Sequence, residues 1–218
     1  LADGTLRTLV EQQAINSPKL VEHLRYHDQV VRMKQGVGIS HVPKGHSLHC
    51  NSSESLANPI VTHWVDYISN QYIAPDGLDK VLVLLPCSAK KPYRMSKSHR
   101  KFLDAINNTS FHEVMVTSPL GLVPRDLEET WPASHYDIPV TGTWSADEIA
   151  RTDLMLRSLI DRHQYHTVIN HSSMKFELRG VDYYETSQNL PPTSRDALAS
   201  LREITSLVSA KHEYRNRK

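Results

Sequence analysis

The run Val81-Leu82-Val83-Leu84-Leu85 constrains the fold more than any other stretch of the chain. An apolar run with no polar alternation predicts a strand covered on both faces, the pattern of a parallel sheet held between helices. Further strands are expected over residues 113–117, 167–170 and 181–186. Helical patterns separate them, at 96–107, 145–163 and 194–214. The second opens on Ser145 with Glu148 in capping-box register. Strand and helix therefore alternate from residue 80 onward. That order predicts an α/β fold with a short, mainly parallel sheet, right-handed crossovers and three α/β/α layers. A chain of 218 residues with 39% hydrophobic content can bury one substantial core and a smaller appendage.

The first 79 residues predict a small helical region ahead of the α/β domain at 80–218. Leu6, Leu9, Val10 and Ile15 recur at near-helical spacing. Ser17 and Pro18 supply a cap and a first-turn proline, and Leu20, Val21, Leu24 and Val31 continue an apolar stripe. Residues 36–54 are rich in glycine, proline, serine and histidine and predict an irregular segment. A helix is expected over 55–72 with Leu56, Ile60, Trp64, Tyr67 and Ile68 inward, and Pro75-Asp76-Gly77 reads as a turn.

A formal net charge of +1 provides no global basic field, so any nucleic-acid contact has to be local. No apolar run is long enough to span a bilayer, so no membrane partner is expected. The chain starts at Leu1 without a charged leader region, which predicts a processed product or a domain cut from something longer. Two cysteines make no disulfide framework, and a reducing cytoplasm is the expected location.

In open parallel sheets, ligands bind beyond the carboxyl ends of the strands. The loops at 86–99, 118–121 and 171–173 are thus expected to face one crevice. The first follows the buried strand and reads LPCSAKKPYRMSKSH from residue 85. Cys87 lies close in sequence to Lys90, Lys91, Arg94, Lys97, His99 and Arg100. Cations favour a thiolate, and the thiolate is the nucleophile. The competing reading is a small apolar filler behind a solvated basic loop. His41, His46, His49 and Cys50 offer zinc donors, but at a spacing that matches no standard finger and without a second ligand pair. No metal is assigned. Trp131, Tyr136 and Trp144, in the segment WPASHYDIPVTGTW, are either platforms for a planar base or parts of an ordered crossover.

The spacing of Pro86-Cys87, Lys91-Pro92-Tyr93, Ser96 and His99 resembles the signature of archaeosine synthase, the archaeal paralogue of tRNA-guanine transglycosylase. The block VTSPLGLVPRDLEETWPASHYDIPVTGTW at 116–144 is also similar to that family, and the opening LADGTLRTLVEQQ resembles the helix ending its transglycosylase-like part. The resemblance implies an enzyme acting on tRNA that carries 7-cyano-7-deazaguanine in the D-loop. It converts the nitrile towards archaeosine with a small-molecule amine donor, lysine or glutamine, and no cofactor. It also implies missing partners: a transglycosylase-like domain before residue 1 and a PUA domain after residue 218. The α/β part further resembles the uracil-DNA glycosylase-like fold, with Lys91-Pro92-Tyr93 in place of D-P-Y and His171-Ser172-Ser173 in place of H-P-S. Because Lys91 stands where the glycosylase has its aspartate, base excision ranks last among the readings.

On this basis Cys87 is the nucleophile, Lys91 or His99 handles protons, and Asp137 or Glu128 orients the amine. Tyr93, Ser96, Ser118, Gly121, Tyr136 and His171 are the substrate-binding candidates. Direct attack by the amine, with Cys87 only shaping the pocket, is the mechanistic rival. A non-catalytic tRNA-docking or scaffold domain, with KKPYRMSKSHRK gripping phosphates, is the rival function.

Overall fold

A computed structural model of the chain describes residues 6–33, 46–108, 110–138 and 143–216. Its centre is a five-stranded sheet. In chain order the strands are β1 (Leu48–His49), β2 (Val81–Pro86), β3 (His112–Thr117), β4 (Gly121–Pro124), β5 (Tyr136–Asp137), β6 (Thr167–Asn170) and β7 (Asp182–Glu185). The helices are α1 (Leu6–Ala14), α2 (Pro18–Met33), α3 (Pro59–Asn70), α4 (Lys97–Ile106), α5 (Ala146–Arg162) and α6 (Arg195–Asn216). The main sheet has the order β4-β3-β2-β6-β7, all parallel except β4, which runs antiparallel to β3. β1 and β5 form a separate parallel pair. Helices α3 and α5 pack together and onto β4, while α4 and α6 pack together and α6 onto β6. The result is the expected three-layer α/β/α architecture.

Val81 to Leu85 are all fully buried at the middle of the sheet, as an unbroken apolar run requires. Ser96 caps α4 by accepting the His99 amide at 3.1 Å, and Asn107 closes it in the left-handed region at φ 43°. The Ser145–Glu148 capping box starts α5. The edge strand β4, absent from the sequence reading, ends at Pro124, which an edge tolerates. Gly121 begins it at φ +75°, with Met155 so close that a Cβ would lie 2.3 Å from its sulfur.

The segment before residue 80 shares this core. Leu48, Cys50, Ile60, Val61, Trp64, Ile68 and Tyr72 are buried in one cluster with the sheet residues. Trp64 donates its indole N–H to the Leu122 carbonyl at 3.0 Å. Tyr67, expected inside, is on the half-exposed side of α3.

Helix α1 corrects the sequence reading more strongly, whereas on α2 the expected Leu24 is buried. Leu9 and Ile15 are 51% and 62% exposed, whereas Arg7, Glu11 and Asp28 are buried. Arg7 pairs with Glu11 at 2.7 Å and with both oxygens of Asp28, and donates to the Glu54 carbonyl at 3.3 Å. On α1 the charged stripe, not the apolar one, faces the body, and its burial is tolerated because the charges are paired.

Candidate active site

The carboxyl ends of β2, β3 and β6 open into one cavity of about 520 Å³. Pro86 and Cys87 reach it from β2, Val116 and Ser118 from β3, and Ser172 and Ser173 from beyond β6. The loops converge as a parallel sheet demands. Cys87 opens to solvent at this mouth while protein crowds its remaining sides.

Beneath Cys87 lies a cluster of hydroxyls. Tyr93 and Tyr136 are buried, with their phenols hydrogen-bonded to each other. Both also bond Thr117 Oγ1, Tyr93 at 3.3 Å and Tyr136 more closely. One residue past the Pro86–Val116 pair, Cys87 comes level with Thr117, whose hydroxyl favours the ionised thiol. Lys91 stands over the Tyr136 ring, its Nζ 3.9 Å from the centroid.

Burial pushes the Cys87 thiol up from its ordinary value, opposed by the Thr117 bond and the Lys91 charge. The expected thiolate is therefore disfavoured at rest, since desolvation outweighs the neighbouring cation. Burial lowers the Lys91 ammonium, against the charges of Cys87, Asp137 and Cys50. A half-buried lysine eased towards deprotonation beside a thiol eased towards protonation is a pair between which one proton moves readily.

His99 occupies a different position from the expected one. It is fully buried, its Nε2 donating to the Pro86 carbonyl at 2.9 Å and its Nδ1 accepting from Arg125 at 3.0 Å. Burial and the Arg125 charge push its pKa down to about 3. Both ring nitrogens are committed, so His99 holds the end of β2 and exchanges no proton with the cavity. Glu128 is likewise occupied: its buried carboxylate binds Arg94 and, at 2.9 Å, Arg125. Arg125 also bonds Glu113 at 2.7 Å. This network fastens the 87–99 loop from below and leaves Glu128 no room to orient an amine.

His171 also faces inward. It is buried, bonded to Thr186 Oγ1 at 2.8 Å and to the Pro192 carbonyl at 2.9 Å, and burial lowers its pKa. Its neighbours Ser172 and Ser173 line the cavity in its stead. Ser96 is a helix cap, and Gly121 provides close packing. Ser118 does line the cavity and donates to Glu148. Asp137 is exposed at the β5 edge, near enough to Lys91 to raise its pKa. Of the three aromatic candidates, only Trp144 lines the cavity. Tyr136 is sealed beneath Lys91, and Trp131 packs against the core.

Sequence reasoning missed a whole wall, formed by Cys50 to Ser53 with Ser55 and Leu56. Strand β1 brings it there: Leu48 donates to His135 O at 2.7 Å, and Cys50 to Asp137 O at 2.8 Å. Cys50 is thus strand-anchored and 3% exposed, with burial and Glu11 pushing its thiol up to about 12. Arg151 ties this wall to the next, bonding Leu56 O at 2.7 Å and Pro119 O at 3.3 Å. Among the described residues, no three His, Cys, Asp or Glu side chains are placed to hold a metal ion. His41 lies outside those residues, while His46 and His49 are exposed and Cys50 is buried. No helix among them is long and apolar enough to cross a membrane.

These features define a three-layer α/β domain with a cysteine-bearing cleft at the carboxyl edge of its sheet. The chain belongs to the family described as a domain of unknown function, DUF5591, whose model matches residues 61–205. It is homologous to the archaeosine synthases. It is 43% identical over 172 residues to the archaeosine synthase subunit alpha of Thermoplasma acidophilum, covering 78% of this chain and 32% of that one. With the archaeosine synthase of Haloferax volcanii it shares 41% over 170 residues, covering 78% and 28%. With the archaeosine synthase subunit alpha of Methanosarcina acetivorans it shares 37% over 216 residues, covering 94% and 32%. The chain thus spans about a third of the length of these curated relatives. The crystal structure of AF0587, a protein of unknown function, matches the fold with a TM-score of 0.50 at 19% identity, covering 66% of this chain and 49% of that one.

Proposed function

We propose that this chain supplies the nitrile-modifying site of an enzyme of archaeosine biosynthesis, acting on tRNA that carries 7-cyano-7-deazaguanine. The observation that carries the reading is Cys87 at the mouth of the cavity, with Lys91 beside it and a hydroxyl cluster behind it. Homology to proteins named archaeosine synthase fits a nitrile substrate. Transfer of the Cys87 proton to Lys91 gives a thiolate, which adds to the nitrile carbon. The C–S bond forms as one π pair of the C≡N bond moves to nitrogen. That nitrogen takes the proton from the Lys91 ammonium, leaving a thioimidate on Cys87. A free amine, either the side-chain amine of lysine or ammonia released from glutamine by hydrolysis to glutamate, then adds to the same carbon. The C–S bond breaks, the thiolate departs, and the proton lost by the amine passes through Lys91 to sulfur. Nitrile plus amine yields an amidine with every atom accounted for. Asp137 orients the incoming amine from the rim, and Trp144 stacks on the deazaguanine. The remaining domains of the full protein bring the tRNA.

A docking role is favoured by one further observation: Lys90 on the same loop and Lys97, Arg100 and Lys101 on α4, which follows it, are exposed. The two readings separate in one experiment. Cys87→Ala in the intact protein is expected to retain tRNA binding and to lose at least about a thousandfold in turnover, the scale on which a lost nucleophile acts. Unchanged turnover, with binding that falls steeply with salt, would leave docking alone.

A further inference from the structure

The hydroxyl cluster under Cys87 has a direction, which follows from counting its protons. Tyr93, Tyr136 and Thr117 each carry one hydroxyl proton, and the three oxygens lie in mutual contact. Burial raises the pKa of both phenols, so they are donors throughout the working pH range. If every edge of the triangle held a proton, none would be left for the outside. Thr117, however, also reaches the Ser118 carbonyl at 3.2 Å, and so has an acceptor outside the triangle. With the Thr117 proton pointing outward, both phenol protons remain for the edges inside the triangle, Tyr93 donating to Thr117 Oγ1 at 3.3 Å and Tyr136 meeting both of the other oxygens. The strand register supplies a second outward acceptor: Leu85 pairs with Met115 and Pro86 with Val116, which brings Cys87 level with Thr117.

We propose that Thr117, backed by Tyr136 and Tyr93, is a positioning residue for the Cys87 thiolate, the last donor of a buried hydroxyl relay that ends on sulfur. The proposal rests on the reading of Cys87 as the nucleophile. In the resting thiol the Thr117 proton lies on the Ser118 carbonyl. When Cys87 ionises, it turns to the sulfur without any change in the number of bonds. Each hydroxyl polarises the next, so the terminal bond is stronger than an isolated threonine would give. The Lys91 ammonium over the Tyr136 ring draws electron density from this phenol and reinforces the relay. Such a relay takes the place of an imidazole partner, since His99 is turned away and bonded elsewhere.

The test is the pH profile of Cys87 alkylation by iodoacetamide in the intact protein, read by peptide mass spectrometry without substrate. Thr117→Val, which keeps shape and removes the donor, is expected to raise the profile midpoint by about one unit, the size of one lost bond to an ionised group. Thr117→Ser is expected to restore it, and Tyr136→Phe to give a smaller shift in the same direction. A Thr117→Val midpoint equal to wild type, or equal shifts for the serine and valine variants, would overturn the relay. Cys50 reactivity reports unfolding. If the valine variant exposes Cys50, Tyr136→Phe decides: an upward shift supports the relay and no shift overturns it. Turnover by Cys87→Ala tests the nucleophile separately, so the two ideas can fail independently.

Discussion

The two cysteines of this chain line the same cavity, yet their surroundings differ in kind. Cys87 follows the central strand, opens to solvent, and touches Thr117 and the field of Lys91. Cys50 follows a two-residue strand, is buried, and directs its thiol at the Leu48 carbonyl 3.8 Å away, with the Glu11 charge behind it. Burial raises both thiols, but only Cys87 has neighbours whose first effect is to favour the anion. Reactivity is therefore set by what stabilises the charge once formed, more than by the cavity the two share.

The largest expected consequence is a difference in alkylation rate. At pH 8 iodoacetamide should modify Cys87 at least about tenfold faster than Cys50, because exposure and thiolate character both favour it. Equal rates would erase the contrast.

A second test reaches the support beneath Cys87. His99, held neutral with a pKa of about 3, becomes protonated more readily in the unfolded chain, where its ordinary value applies. The unfolded state then binds more protons between pH 6.5 and about 3, so stability falls as pH drops through that window. His112, also pushed down to about 3 by burial, acts in the same direction. Each should contribute a slope of about 1.4 kcal/mol per pH unit. Denaturant titrations from pH 7 to 4 should show this loss, and His99→Gln should remove one proton's share of it. A flat profile would mean that these imidazoles are not buried as described.

The smallest effect concerns the Cys50 side. Glu11 accepts from Ser55 Oγ at 2.8 Å and raises the Cys50 thiol. Glu11→Gln should speed Cys50 alkylation about threefold and leave Cys87 unchanged, an effect of half a pKa unit. A change at Cys87 instead would show that the two environments are coupled.

Much of the scaffold was legible in the sequence. The apolar run at 81–85, the capping box at Ser145 and the alternation of elements lead directly to the layered sheet, and topology places the loops after β2, β3 and β6 around one cleft. The remainder was not legible because it depends on tertiary partners. A histidine in a polar loop looks like a proton carrier, but His99 and His171 instead satisfy buried carbonyls. Thr117 looks like the last residue of a strand, and only the approach of two tyrosines makes its hydroxyl part of the site. Cys50 is brought in by the pairing of β1 with β5, remote in sequence and too short to carry a periodic signal. Arg7 and Glu11 invert the amphipathic reading of α1, because their partners lie on α2 and beyond it.

The central claim is that Cys87 attacks the nitrile, and withholding the amine isolates that step. The intact protein should be incubated with tRNA bearing 7-cyano-7-deazaguanine, digested with nuclease and protease, and examined by mass spectrometry. The account predicts that the peptide containing Cys87 gains the full mass of the modified nucleotide, as addition to a nitrile requires, that adding the amine discharges it, and that Cys87→Ala gives no adduct. An active enzyme that never forms the adduct, and a Cys87→Ala variant that still produces amidine, would contradict it.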